Sequence, residues 1–231
     1  NHEIAKTREV VTETQLGLIR LQWWKDAIVD IYNGKLPPKN DVLEMLAMAI
    51  RENTLPQDLF DQLMYAREFD LEDRLPSSLE GMVKYAEFTS LPLMRLSIKI
   101  AEPGNAKPPS DKAIRDIATA YALTGLLRAI PMHTRQRRCY LPEDMLAREK
   151  TSADDLYAGK RLEALKPVVR QVVEVTEKLS TDDGGNRWLR LHRTLLRMYL
   201  KQIKACGYDV FSPRLSVPPL ARGIRLWIKS H

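Results

Sequence analysis

The amino-acid sequence predicts an all-α fold, and three observations predict it. Apolar residues recur with the helical period along almost the whole chain, alternating β-branched runs of the strand kind are scarce, and capping residues, prolines and glycines punctuate the periodic stretches where helices would begin and end.

Each element follows from that punctuation. Asn1 opens directly onto a helix-like pattern, so the beginning is expected to be truncated. Thr12-Glu13-Thr14-Gln15 has the form of a capping box for a helix through Trp23, Trp24 and Ile28, stopping near Asn33-Gly34 before Pro37-Pro38. Asp41 with Glu44 opens the next, Pro56 suits the first turn of a third, and Ser77 with Glu80 caps a fourth that runs to about Ile100. Three prolines and a glycine make Glu102–Ser110 a loop. A long helix follows from Asp111 to about Ile130, where Pro131 ends or kinks it. Beyond Leu141-Pro142 come a short helical piece and helices near Leu162–Leu179 and Trp188–Ala205, parted by Asp182-Asp183-Gly184-Gly185. A proline-bounded tail, Phe211–Pro219, leads into a short amphipathic segment ending at Ile228.

Composition bounds the class. With 231 residues, 44% of them hydrophobic and 29% charged, the chain can bury a single core, and residues 1–231 read as one domain without internal repeats. Cys139 and Cys206 form no CxxC pair and read as free thiols of a reducing compartment. No apolar run approaches the ~20 residues of a membrane-spanning helix. The net charge of +6 concentrates in Arg128–Arg138 and Arg187–Lys204, which suits a phosphorylated ligand, an acidic protein or a membrane surface, or simply a solvated basic face. Nucleic acid is not expected, because no reading module or stacking platform accompanies the charge.

Common catalytic signatures are absent: there is no glycine-rich phosphate loop, HExxH helix or GxSxG elbow. The four histidines, His2, His133, His192 and His231, are dispersed. Acidic pairs at i, i+4 project from one helix face and suit Mg²⁺, a hard ion that prefers oxygen ligands. Glu9 with Glu13 and Asp26 with Asp30 have that spacing, and Asp70 lies near Glu72 and Asp73; the same spacing is also common on solvated helix faces. Trp23, Trp24, Tyr121 and Trp188 read as core or cavity-wall residues.

Two stretches together carry a resemblance. Ile19-Arg20-Leu21-Gln22-Trp23-Trp24-Lys25-Asp26-Ala27-Ile28 is the first; the second is Leu123-Thr124-Gly125-Leu126-Leu127-Arg128, continuing through Arg135-Gln136-Arg137-Arg138-Cys139-Tyr140-Leu141-Pro142. With Ala66-Arg67-Glu68-Phe69-Asp70-Leu71 and Tyr85-Ala86-Glu87-Phe88-Thr89 between them, they resemble the squalene/phytoene synthase family. The resemblance implies an isoprenoid synthase helical bundle around a central cavity. In that family two aspartate-rich motifs hold Mg²⁺ against prenyl diphosphates, whose ionisation needs the leaving charge neutralised.

The chain departs from the family at both motifs. In the second, Ala129 and His133 stand where aspartates are expected, with Pro131 and Met132 between; an apolar side chain cannot hold magnesium and a neutral imidazole is a poor ligand for it. In the first, Arg8, Glu9 and Thr12 take the aspartate positions. This variant pattern, with Leu16-Gly17-Leu18-Ile19-Arg20 and Tyr208-Asp209-Val210-Phe211-Ser212-Pro213, is similar to a catalytically degenerate branch of mitochondrial respiratory complex I assembly factors and their bacterial relatives.

That likeness implies a non-catalytic assembly or binding factor needing no cofactor. Respiratory complex I subunits or other assembly proteins are the expected partners, a prenyl or lipid molecule is a candidate ligand, and peripheral membrane contact is allowed. A bacterial cytoplasm or the mitochondrial matrix is the expected location. Arg20, Arg128, Arg135, Arg138 and Tyr140 are the candidate phosphate- or ligand-binding residues, the bland alternative being that the arginines serve helix ends or acids such as Asp70. The competing expectation is an active Mg²⁺-dependent prenyltransferase of isoprenoid biosynthesis that condenses two prenyl diphosphates, with Glu9, Glu13, Asp26 or Asp70 as substitute metal ligands.

Overall fold

The computed structural model describes residues 1–11, 13–72, 75–102, 104 and 108–230, with the side chains of Glu9 and Ser230 excepted. Among the described residues every regular element is helical, as the periodicity predicts. Two short turns, α1 (His2–Ala5) and α2 (Thr7–Val10), precede α3 (Thr14–Tyr32), α4 (Asp41–Asn53) and α5 (Gln57–Phe69). After a 3₁₀ turn at Asp70–Glu72 come α6 (Leu79–Ala101), α7 (Asp111–Arg135), α8 (Glu143–Arg148) and α9 (Ala153–Tyr157). A second 3₁₀ turn leads into α10 (Leu165–Leu179), followed by α11 (Arg187–Ala205), a 3₁₀ turn at Pro213–Ser216 and α12 (Arg222–Ser230).

The chain contacts divide into two compact units, Asn1–Arg74 with Phe88–Ala106, and Leu75–Glu87 with Lys107–His231. The first unit gathers Leu21, Trp24 and Ile28 of α3, Leu43, Ala47 and Ile50 of α4, and Leu59, Leu63 and Met64 of α5 into one core. Gly17 brings α3 close to the 3₁₀ turn: a Cβ there would stand 2.7 Å from a Leu71 methyl. The second unit is built on α7, α10 and α11. On α10, Leu165, Val168, Val169, Val172, Val173 and Thr176 are buried at i, i+3, i+4, i+7, i+8 and i+11, the spacing of one helix face. They meet Leu123 and Leu127 of α7 and Leu196, Leu200 and Ile203 of α11.

Capping corrects several boundaries. Thr12 lies outside the described residues, and α3 starts at Thr14 with Glu13 at its N-cap and no side-chain cap bond. Asn40, rather than Asp41, caps α4 by accepting from the amides of Val42 and Leu43. Pro56 sits one residue before the first turn of α5. Ser78, not Ser77, bonds the Gly81 amide at 3.2 Å and opens α6. Ser77 instead offers its carbonyl, with that of Pro76, to the first amides of α8. Those amides have no partner within their own helix, so the loop supplies one.

Pro131 does not end α7, which continues through it to Arg135. A proline costs one i→i−4 bond, and the next turn is secured locally: Thr134 Oγ1 donates to the Ile130 carbonyl at 2.8 Å. The helix then stops in a Schellman arrangement, with Arg138 N bonded to His133 O at 2.8 Å and Arg137 N to Thr134 O at 3.1 Å. Arg137 takes the left-handed conformation that glycine usually provides, with φ of 54°. The aromatic expectation divides too. Trp24 is buried, whereas Trp23 is 43% exposed and Tyr121 39%, because neighbouring helix positions point about 100° apart and cannot share one core face.

Candidate functional site

In the second unit the end of α7 sets the geometry. Thr124 is buried and spends its hydroxyl on the Ala120 carbonyl at 2.8 Å, so it faces its own helix. One turn on, the Arg128 guanidinium lies 3.5 Å over the Tyr199 ring of α11, a cation–π contact between helices. Ala129 is half-buried. One further turn along α7, the His133 ring meets Tyr140 edge-on at 4.7 Å, and Tyr140 stacks on Tyr85 of α6 at 5.3 Å. Arg135 is exposed at the helix end.

Beside these rings is a cavity of about 10 Å³, lined by His133, Arg138, Cys139 and Tyr140 with apolar residues including Met82 and Ile130. That is room for one water and not for a prenyl chain. Burial pushes the Cys139 thiol up to about 11, so it stays protonated at neutral pH. Arg137 lies over Tyr157, with its guanidinium carbon 5.3 Å from the ring centroid, and pairs with Asp154 at 3.9 Å.

The acids nominated as substitute ligands lie in the first unit. Asp70 is 10% exposed and pairs with Arg67 at 2.7 Å, while Arg67 also reaches Asn1 Oδ1 at 3.3 Å. Asp26 is exposed and accepts from Gln22 at 2.6 Å; Asp30 pairs with Lys35 at 2.8 Å. Glu13 is exposed at the N-cap of α3. Arg20 is half-buried, 3.8 Å from Glu3. Arg8 is half-buried on α2. The Glu9 side chain, Thr12 and Asp73 lie outside what is described. Among the described residues, no three of His, Cys, Asp or Glu come together in a form that would hold a metal ion.

The metal implied by the fold does not fit the end of α7. Mg²⁺ requires hard oxygen donors, and this stretch offers Ala129, Pro131, Met132 and an imidazole packed against a phenol ring. No step is derived through a metal here.

The basic helix α11 resolves mostly into structural pairing. Arg193 bonds Asp183 at 3.0 Å and the Thr181 carbonyl at 3.0 Å, and Arg197 donates to the Ser180 carbonyl at 2.8 Å. Lys204 pairs with Glu177 at 2.9 Å. Cations thus cover the C-terminal end of α10, where unsatisfied carbonyls carry partial negative charge. These contacts border an open groove of about 340 Å³. His192, half-buried on the same helix, packs against Tyr121 at 4.9 Å and donates from Nδ1 to the Trp188 carbonyl at 3.0 Å. Burial pulls its pKa below the ordinary 6.5, outweighing the backbone bond that raises it.

Tyr199 and Tyr85 are the partners that sequence reasoning missed. Tyr199 is 71 residues from Arg128, and no spacing rule pairs them. Tyr85 lies in a stretch singled out for its position alone.

Comparison with known proteins adds the lineage. A family model described as squalene/phytoene synthase matches residues 1–221. The chain is 28% identical over 243 residues to the bovine (Bos taurus) protein named NADH dehydrogenase (ubiquinone) complex I, assembly factor 6, covering 100% of this chain and 72% of that protein. It is 26% identical to chloroplastic phytoene synthase 2 of Solanum lycopersicum, covering 85% of this chain and 67% of the relative. Among solved structures, squalene synthase HpnC from Alicyclobacillus acidocaldarius superposes with a TM-score of 0.68 at 17% identity, over 90% of this chain and 89% of that one. A dehydrosqualene synthase in complex with ligand gives 0.70 at 14% identity, over 99% and 83%. At these identities the likeness shows the helical isoprenoid synthase fold.

Proposed function

The chain belongs to the squalene/phytoene synthase family, and from that premise we propose that it is a non-catalytic member, acting as an assembly or binding factor for respiratory complex I without a metal cofactor. The observation that carries this reading is the donor set at the end of α7. Ionising a prenyl diphosphate needs metal-bound charge stabilisation, and Ala129 with a ring-packed His133 cannot supply the ligands. Among the acids elsewhere, Asp70 is paired with Arg67 at 2.7 Å. The relative named as a complex I assembly factor, matched across this whole chain, supplies the role.

On this reading the protein works in the mitochondrial matrix or the bacterial cytoplasm, and its partners are complex I subunits or other assembly proteins. None of the described helices is long and apolar enough to cross a membrane. Arg128 and Arg20 belong to the fold, through Tyr199 and Glu3. Arg135, exposed at the helix end, is assigned to contact with an anionic partner.

Two experiments test the proposal. Incubation with farnesyl diphosphate and Mg²⁺ should release no diphosphate above background; turnover at an enzymatic rate would sink the non-catalytic reading in favour of an active prenyltransferase. Deleting the gene in its own host should lower the amount of assembled respiratory complex I and leave squalene and carotenoid content unchanged. The opposite pattern refutes the assembly role.

A further inference from the structure

The basic stripe of α11 carries more charge than its surroundings balance. Arg190, Arg193, Arg197, Lys201 and Lys204 recur at i, i+3, i+7, i+11 and i+14, so they lie along one face, and α11 contains no acidic residue. Like charges three or four residues apart on a helix repel, and the arrangement is destabilising on its own. Neighbouring elements answer only part of it. Asp183 takes Arg190 at 3.9 Å and Arg193 at 3.0 Å, and Glu177 takes Lys204 at 2.9 Å. Arg197 gives one guanidinium nitrogen to the uncharged Ser180 carbonyl at 2.8 Å, and Lys201 is exposed between Arg197 and Lys204.

These last positions form a groove. Glu177, Ser180, Arg197, Leu200, Lys201 and Lys204 line about 340 Å³ of space, with Ser180 and Leu200 buried. Its cations outnumber its one carboxylate, so the groove is positive and an anionic occupant complements it. The stripe runs along about 21 Å of helix instead of converging on a point, which suits charges spread along a chain over a single phosphate. A concave strip also fits an inserted segment better than the flat surface of a bilayer. No aromatic ring lines it, so a base finds nothing to stack on. An extended chain advances about 3.3 Å per residue, so about six residues match the stripe. We propose that the groove between α10 and α11 docks an extended acidic segment of a partner protein, whose carboxylates pair with Arg197 and Lys201 and compete with Glu177 for Lys204. This docking does not depend on the partner being a complex I protein.

Fluorescence anisotropy of fluorescein-labelled hexaglutamate with the whole chain tests this. Binding is expected at low salt and should weaken as salt is raised. Arg197→Glu with Lys201→Glu should weaken it by about tenfold or more, and Lys201→Glu alone, at an exposed position, by about threefold. If the double variant melts early, the single one decides. Lys150→Glu with Lys160→Glu changes the net charge equally at exposed positions outside the groove, and should move the affinity by less than about twofold. Glu177→Gln releases Lys204 and should tighten binding by about twofold or more. Any of these results overturns the proposal: no binding at low salt, undiminished binding by Lys201→Glu, an equal loss in the Lys150 and Lys160 variant, or weaker binding by Glu177→Gln. So does tighter binding of inorganic phosphate, phosphatidylglycerol vesicles or a single-stranded DNA oligonucleotide than of the peptide.

Discussion

The end of α7 offers no carboxylate from Ala129 to Thr134, whereas in the first unit Asp26, Asp30 and Asp70 each meet a neighbouring side chain. Ala129 and His133 present a methyl group and a ring packed on Tyr140. Asp70 pairs with Arg67 at 2.7 Å, with both side chains nearly buried. Among the described residues the two regions thus differ physically: the end of α7 carries no carboxylate donor, and in the first unit the Asp70 carboxylate is already held by a guanidinium. An acidic residue at a suggestive spacing is not a metal ligand once a guanidinium sits on it, because metal would have to displace a charge-assisted bond.

Breaking each region separately sharpens that contrast. The largest effect is expected in the core behind α7. Leu127→Ala removes a fully buried side chain and should cost about 2–5 kcal/mol, read as a lower urea midpoint with unchanged slope. Next, Arg67→Met leaves the Asp70 charge buried without its partner and should cost about 3 kcal/mol. Adding Asp70→Asn should recover part of that loss, and a double variant that costs the sum of the two singles would show that the pair is not coupled. Gly17→Ala forces a methyl against Leu71 and should cost about 1–3 kcal/mol, with a matching fall in melting temperature. Arg128→Ala, which removes the contact with Tyr199, should cost only about 1 kcal/mol, and it probes whether that arginine serves the fold.

The smallest effect is a pH dependence. His192 has a depressed pKa in the folded protein, so the unfolded chain binds its proton first as pH falls. Stability from this group is complete above the ordinary value of 6.5 and declines as pH drops through that value toward the lower folded one. Thermal melts from pH 7.5 downward should show this decline, and His192→Phe should flatten it.

Helix existence was legible in the chain and helix ends were less so. The run from Leu165 to Thr176 repeats its apolar residues so regularly that α10 could be read directly. Pro131 misled because a proline's penalty is local, while the helix around it is held by bonds that spacing does not reveal, such as that of Thr134 and the Schellman closure at Arg137 and Arg138. Ser77 and Ser78 are equivalent as cap candidates in a string of letters, and only the backbone direction at α6 separates them. That Ala129 and His133 are poor donors for magnesium could be read from the chain, because donor chemistry is written in residue type.

Residue type and period alone thus decided the all-α fold, the family and the missing donors at the end of α7, since each depends on properties a residue carries wherever it lies. Tertiary structure decided which charges are committed. Whether Asp70 has a guanidinium beside it, whether Arg128 meets an aromatic ring, and whether Trp227 faces core or solvent all depend on neighbours brought together by folding. Burial and pairing fall steeply with distance, so an order of residues along the chain does not fix them.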